Sequence, residues 1–518
     1  MWIKRASGIV VASSVFWAAL AGVALAKQGI IDATDPPPFG TPDWLSDTIS
    51  RPHANIATDA SVPAIAILPL DAIQLDAVGL LPASITGLPA DLWGTSEIAT
   101  LGALMRAQPT QGLPAMQSFT QTLALAELAS PQDAPPEGSD LFLARLDMLL
   151  ARGALDPAQA LMERAGPTEP AVFRRWFDVS LLSNRADRAC GVMNANPNIA
   201  PTFSARIFCL ARGGDWSAAA LLLGTGEALG QITQSEGDLI ARFLDPELFE
   251  TEPPLPPDPN LTPLEFQMRM AIAQRPDATG LPLAFVYADL SVLAGWRAQL
   301  DAAERLTRSG AIAPQQWLAI YTAQSPSASG AVWDRVAALQ AFDAALLAGD
   351  PVETSRRLVP AWEAMGEVGL QVAFADIYAD RLLHTPLVGE AGILARRVGL
   401  LSPIYEEVAQ TAIPQDAAER FAFAIARGLP PPDEVPGTGH IHRAIAAAFA
   451  SPLPPHRYSL YLENGQLGEA LLRAAQVLGQ GGAGADTNDL TDALVLFRSV
   501  GLEDVARRTA LQLHLLPE

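Results

Sequence analysis

From about residue 139 the apolar side chains return at helical spacing, and glycines or polar turns cut the pattern into lengths too short to bury a face alone. Leu143, Leu146 and Leu150 mark one helix face, and Gly153 ends it. Asp156-Pro157 then supplies an N-cap followed by proline at the first helical position. Ala158, Leu161, Met162 and Ala165 line the next helix until Gly166 closes it. The pair recurs. Phe173, Trp176, Phe177, Ser180 and Leu181 precede a polar turn at Asn184, after which Ala186, Ala189, Cys190 and Met193 repeat the same offsets. Phe203, Ile207 and Leu210 lead through Gly213-Gly214 to Trp216, Ala219, Ala220 and Leu223. Near the C-terminus, Leu467, Ala470, Leu471 and Ala474 follow Gly465, and Leu502, Val505, Ala506 and Thr509 follow Gly501. The stripes start 28 residues apart (158 to 186), then 30 (186 to 216), and later 35 (467 to 502). Helical-hairpin repeats have periods of about 34–47 residues, so these sit at or just below the short end.

No hairpin covers its own apolar stripe, whereas stacking successive hairpins does. The expected fold is therefore all-α, an α-solenoid of helical hairpins. It is tetratricopeptide-like in class, although the full tetratricopeptide pattern is missing. A compact, non-repetitive helical bundle is the alternative. Alanine, leucine and proline dominate and only 7% of residues are aromatic, which favours closely packed helices over a β-rich core.

The chain opens with Lys4 and Arg5, an apolar run from about Gly8 to Val23, and Ala24-Leu25-Ala26 before Lys27. That is the order of a secretory signal peptide, with small residues suited to signal peptidase. The run falls short of the roughly 20 residues that span a bilayer, so cleavage is expected after Ala26 and the mature chain is placed in the periplasm. Residues 27–60 combine proline, aspartate and glycine with little apolar periodicity and read as an extended, poorly structured tether. Residues 61–135 carry short runs broken by Pro63, Pro69, Pro82 and Pro89; a strand or two, then a helix from Ser96 to Arg106, is the reading there. A hairpin array follows over 136–250 and a proline-rich linker over 251–263. A second helical array covers 264–428, and C-terminal hairpins fill 429–518 after a break at 429–439.

Export removes two positive charges, taking the formal net charge from −22 to −24. Such an acidic chain repels phosphate backbones and anionic lipid. Nucleic acid is therefore not an expected partner, nor is membrane insertion after cleavage; basic proteins, cations or neutral surfaces are. Lys4 and Lys27 are the only lysines. The arginine pairs Arg174-Arg175 and Arg396-Arg397 read as solvated helix faces, and the tryptophans at 176, 216, 296, 317, 333 and 362 as core.

Few segments suggest chemistry. Residues 479–489, GQGGAGADTND, lack the preceding strand and the lysine of a phosphate loop. They carry one glycine-aspartate unit where calcium-binding β-rolls need tandem copies. A helix joint capped by Asp486 or Thr487 is the expectation. GTGEALG, Gly224 to Gly230, is a helix end. His440 and His442, with His456 nearby, could share a zinc ion if the backbone is extended. On a helix, residues two apart diverge, and that is the reading here. Cys190 and Cys209 lie on adjacent helices, and their midpoint falls in the turn NANPNIAP, so an antiparallel hairpin brings them level and permits a disulfide in an oxidising compartment.

GLLPASITGLPADLW (79–93), the run at 140–182, CLARGGDW (209–216) and ARFLDPELFETEPPLPP (241–257) resemble an exported alphaproteobacterial Ala/Pro-rich family, sometimes labelled antifreeze glycopeptide polyprotein. The resemblance covers most of the mature chain and implies no active residues. The label carries no ice-binding function over, since no Ala-Ala-Thr unit occurs. No catalytic residues and no cofactor are expected. The expected role is a non-catalytic periplasmic scaffold or adaptor for a protein or peptide partner. An envelope hydrolase, metal-dependent or cell-wall acting, with a helical-array arm is the alternative.

Overall fold

The computed structural model describes residues 44–45, 74–135, 138–258, 260–277, 280–432, 439–450, 456–479 and 485–516. The expected signal peptide and its cleavage point, most of the tether, and residues 61–73 lie outside these. A short turn, α1 (Ala83–Thr86), leads to α2 (Ile98–Arg106) and α3 (Pro114–Leu125). The hairpins read from the sequence follow: α4 (Asp140–Ala151) with α5 (Leu155–Ala165), α6 (Pro170–Leu182) with α7 (Ala186–Ala195), and α8 (Phe203–Arg212) with α9 (Trp216–Ala228). Beyond them come α10 (Gln234–Leu244), α11 (Pro263–Ala271) and the short α12 (Leu283–Val286). The middle of the chain supplies α13 (Trp296–Arg308), α14 (Pro314–Tyr321), α15 (Val332–Leu347), α16 (Pro351–Gly366), α17 (Gln371–Leu383), α18 (Gly389–Leu400), α19 (Tyr405–Thr411) and α20 (Ala417–Ala426). The last group is α21 (His440–Ala450), α22 (Ser459–Glu463), α23 (Leu467–Gly479), α24 (Thr487–Ser499) and α25 (Glu503–Leu515).

Local chemistry sets these boundaries. The Asp215 carboxylate accepts from Ala218 N at the start of α9. Thr233 with Glu236, and Thr262 with Glu265, form reciprocal capping boxes at α10 and α11, and Pro263 occupies the first turn of the latter. Between α4 and α5, Gly153 adopts φ 77°, and a Cβ there would fall 2.7 Å from Leu306 Cδ2 and 2.9 Å from the Leu283 carbonyl. That turn needs glycine both for its left-handed backbone and for the close approach of two later segments.

Each helix packs on its sequence neighbour from α4 through α11, and α11 also lies on α6. The proline-rich stretch 251–258 is therefore flanked by helices in contact with the same layer. One apolar core runs through the chain, with Trp176 and Trp317 almost fully buried and Trp362 buried, while Trp216 is half exposed. The described residues belong to one compact unit.

The N-terminal region departs from the sequence reading. Among the described residues there is no strand, and the extended pairing is a single parallel bridge, Leu81 to Ala126. The expected helix is present as α2. Its surroundings are not local: α2 packs on α4 and α23, and α3 on α4, α23 and α25. Polar anchors hold this wedge. Arg145 of α4 donates to the Ala124 and Ala126 carbonyls, 2.8 Å each, satisfying acceptors that the end of α3 leaves open. The Asp76 carboxylate accepts from Phe142 N at 2.8 Å, acting as a cap from outside α4. Burial pushes that carboxyl up to about 6.

The arginine pairs also correct the sequence reading. Arg174 and Arg175 are buried rather than solvated. Arg175 reaches Asp147 at 2.7 Å, and Asp147 also holds Arg106 at 3.2 Å, so one carboxylate ties α2, α4 and α6. Arg396 donates to Glu419 at 2.9 Å, and Arg397 to the Leu515 carbonyl. Arg175, Arg396 and Arg397 thus serve buried or part-buried joints between helices, which periodicity along one helix does not reveal.

Candidate functional site

Cys190 on α7 and Cys209 on α8 form a disulfide, with Cα atoms 5.0 Å apart and both side chains buried. The antiparallel hairpin around Pro197–Ile199 brings them level, as the spacing predicts. The bridge fastens one hairpin to the next.

The histidines are arranged differently from the zinc alternative. His442 Nε2 lies 2.9 Å from His514 Nδ1, and His514 Nε2 lies 3.2 Å from the Ala418 carbonyl. Phe421 packs against both rings. The helical form of 440–450 turns His440 and His442 to different directions. Burial, chiefly, lowers the His514 pKa to about 4. Among the described residues no group of three or more His, Cys, Asp or Glu side chains is placed to share a metal ion.

In the glycine-rich loop, residues 480–484 lie outside the described residues. Asp486 caps α24 by accepting from Asn488 N at 2.7 Å, and Asp489 pairs with Arg457. Gly224 to Gly230 closes α9, as expected.

A cavity of about 710 Å³ lies among α6, α8, α10, α11, the start of α14 and the segment 287–294. Phe208, Phe243 and Phe266 contribute aromatic surface, and Leu293, 86% exposed, stands on its lining. Arg185, Arg212 and Arg275 line it, and no carboxylate does. Their partners sit outside the lining: Asp156 is 3.2 Å from Arg185, Asp187 2.5 Å from Arg212, and Asp289 pairs with Arg275. Phe208 and Phe243 stack with centroids 5.4 Å apart, and Arg212 lies over Phe208.

No family model, curated protein or solved structure matches this chain. The cavity must therefore be read from its own chemistry. Its volume falls in the range of ligand and peptide pockets, and it offers flat aromatic surface beside half-exposed guanidinium groups. The N–H groups that Asp156, Asp187 and Asp289 leave over can donate to a carboxylate while the rings cover apolar side chains. The sequence does not announce the site, because its residues come from six separate segments on both sides of a proline-rich stretch. The one available signal was the arginine content of positions 185, 212 and 275, each beside a helix end.

Proposed function

We propose that the protein is a non-catalytic helical-repeat scaffold of the periplasm, built as a tetratricopeptide-like solenoid, that holds an extended segment of a partner protein in the arginine-lined cavity. The observation that carries this reading is the charge contrast: a chain of net charge −22 presents a cavity whose ionic lining is three arginines and no carboxylate. The complementary occupant carries aspartate or glutamate interleaved with phenylalanine or leucine. An acidic body elsewhere repels the same segment and so confines it to the cavity. The ionic groups on the lining thus have the sign opposite to the chain's net charge, although each arginine also reaches an aspartate just outside it. Secretion and signal cleavage after Ala26 remain part of this reading, supported by the order of residues 1–27 and by the disulfide, which suits an oxidising compartment.

The test is a fluorescence titration of the mature chain with two labelled peptides of equal apolar content, one alternating Asp with Phe and Leu, the other Lys with Phe and Leu. The acidic peptide is expected to bind at least about tenfold more tightly, a difference of roughly 1.4 kcal/mol. Arg212→Glu combined with Arg185→Glu is expected to abolish the preference. Equal binding, or preference for the basic peptide, would overturn the reading.

A further inference from the structure

A second cavity, of about 510 Å³, opens where α3, α13, the start of α14, α17 and α25 converge. These elements come from the N-terminal wedge, the middle of the chain and its C-terminal end. Five residues of its lining each carry a buried polar atom with no hydrogen-bond partner among the described residues: Gln117 Nε2, Thr307 Oγ1, Arg308 Nε, Asp376 Oδ1 and Arg508 Nε. The arginine-lined cavity described above has no such atom on its lining. Gln117 and Thr307 are more than nine-tenths buried, at 4% and 8% exposure.

Leaving a buried donor or acceptor unpaired costs about 1–3 kcal/mol. Such atoms occur elsewhere among the described residues too, but five of them belong to residues around this one opening. The set is also chemically ordered. Two guanidinium groups and a primary amide offer donors to an anion, while one carboxylate offers an acceptor to a cation. Burial pushes the Asp376 carboxyl up to about 6, against the opposing influence of Arg508. A cation seated beside it would favour its charged form. Gly369 leaves the stem of Arg308 its position, since a Cβ there would lie 3.3 Å from Arg308 Cδ.

We propose that this cavity binds a small zwitterion, the ammonium and carboxylate of an amino acid or short peptide, with Asp376 taking the ammonium and Arg308 and Arg508 the carboxylate. Gln117 and Thr307 complete the polar wall, and Leu370 and Val372 contribute apolar surface for a side chain. The site is separate from the arginine-lined cavity and does not depend on its reading. Free amino acids and peptide termini offer the same charged groups, and the volume admits either.

Calorimetric titration of the full mature chain decides the matter, using L-alanine, L-alanyl-L-alanine, N-acetyl-L-alanine, L-alaninamide, acetate and glucose. The expected result is binding of alanine, the dipeptide or both, weakened at least about tenfold when either charged end is blocked. Alanine alone identifies free amino acids as the source, and the dipeptide alone identifies peptides. Asp376→Asn keeps shape and is expected to lose the advantage of the unblocked amino end; Arg508→Gln is expected to lose the advantage of the unblocked carboxylate. Should either fail to fold, Ser118→Tyr at the exposed lip of the cavity is expected to block binding without touching the charged groups. No binding of alanine or the dipeptide at about 10 mM, equal binding of the blocked forms, preference for glucose, or binding unaffected by these substitutions would overturn the proposal.

Discussion

The backbone of Gly94 passes so close to that of Gly465 that a Cβ on Gly94 would lie 1.8 Å from the Gly465 carbonyl oxygen. Next to this contact, the Thr95 hydroxyl donates to the Asn464 carbonyl at 2.7 Å, and Gly468 N donates to the Leu92 carbonyl at 2.8 Å. The wedge before the hairpin array is thereby joined to the C-terminal helices. Gly94→Ala adds a backbone collision to the cost of a left-handed φ of 47°. It is expected to destabilise the protein by at least about 2 kcal/mol, read as a lower urea midpoint. An unchanged midpoint would show that the two segments do not meet in solution.

Trp44 lies edge-on to Phe285 with ring centroids 5.7 Å apart, and Leu45 beside it is also buried. The segment read as a tether thus contains an anchor. Trp44→Ala removes a buried aromatic side chain and its edge-to-face contact, at an expected cost of about 1–3 kcal/mol. Limited proteolysis is expected to cut the variant faster near residue 44 than the parent; equal rates would contradict the anchor.

The Cys190–Cys209 bridge closes a short loop between buried positions. Reduction, or Cys190→Ala with Cys209→Ala, is expected to cost about 3 kcal/mol in the chain-entropy account. Denaturant unfolding with and without a reductant measures it. Coincident curves would contradict a bridge that forms in solution.

His514 titrates near 4 in the folded chain against about 6.5 unfolded, chiefly through burial, with His442 and Arg397 adding to the lowering and Asp416 and the Ala418 carbonyl opposing it. Between those values the unfolded chain binds the extra proton, so this group's contribution is complete above pH 6.5 and is lost as pH falls toward 4. Buried Asp76 and Asp376, both held up at about 6, act with the opposite sign in the same range. The difference between the parent and His514→Gln isolates the histidine: the parent is expected to lose more stability than the variant from pH 6.5 to 4.5. Parallel pH profiles would rule it out.

The hairpins were legible because their determinants are local. Leu161 and Met162, Gly166 at the helix end, and the level placement of Cys190 and Cys209 all follow from local offsets. The wedge was not legible because its partners are remote. Arg145 serves carbonyls about twenty positions earlier, and Gln108 Nε2 donates to Leu472 O at 3.0 Å across most of the chain. The same reasoning explains Arg175, which looked like a surface residue until Asp147 was placed beside it. Both cavities escape sequence reading for this reason: each is assembled from several segments, and neither contains a motif.

A photo-crosslinking residue in place of Leu293 reads out what the arginine-lined cavity holds. With the full chain exported in cells, crosslinks are expected to concentrate on acidic, apolar segments of a partner protein and to be lost when Arg185 and Arg212 are reversed to glutamate. Crosslinks that survive the charge reversal, or that fall on basic or uncharged segments, would contradict the proposed function.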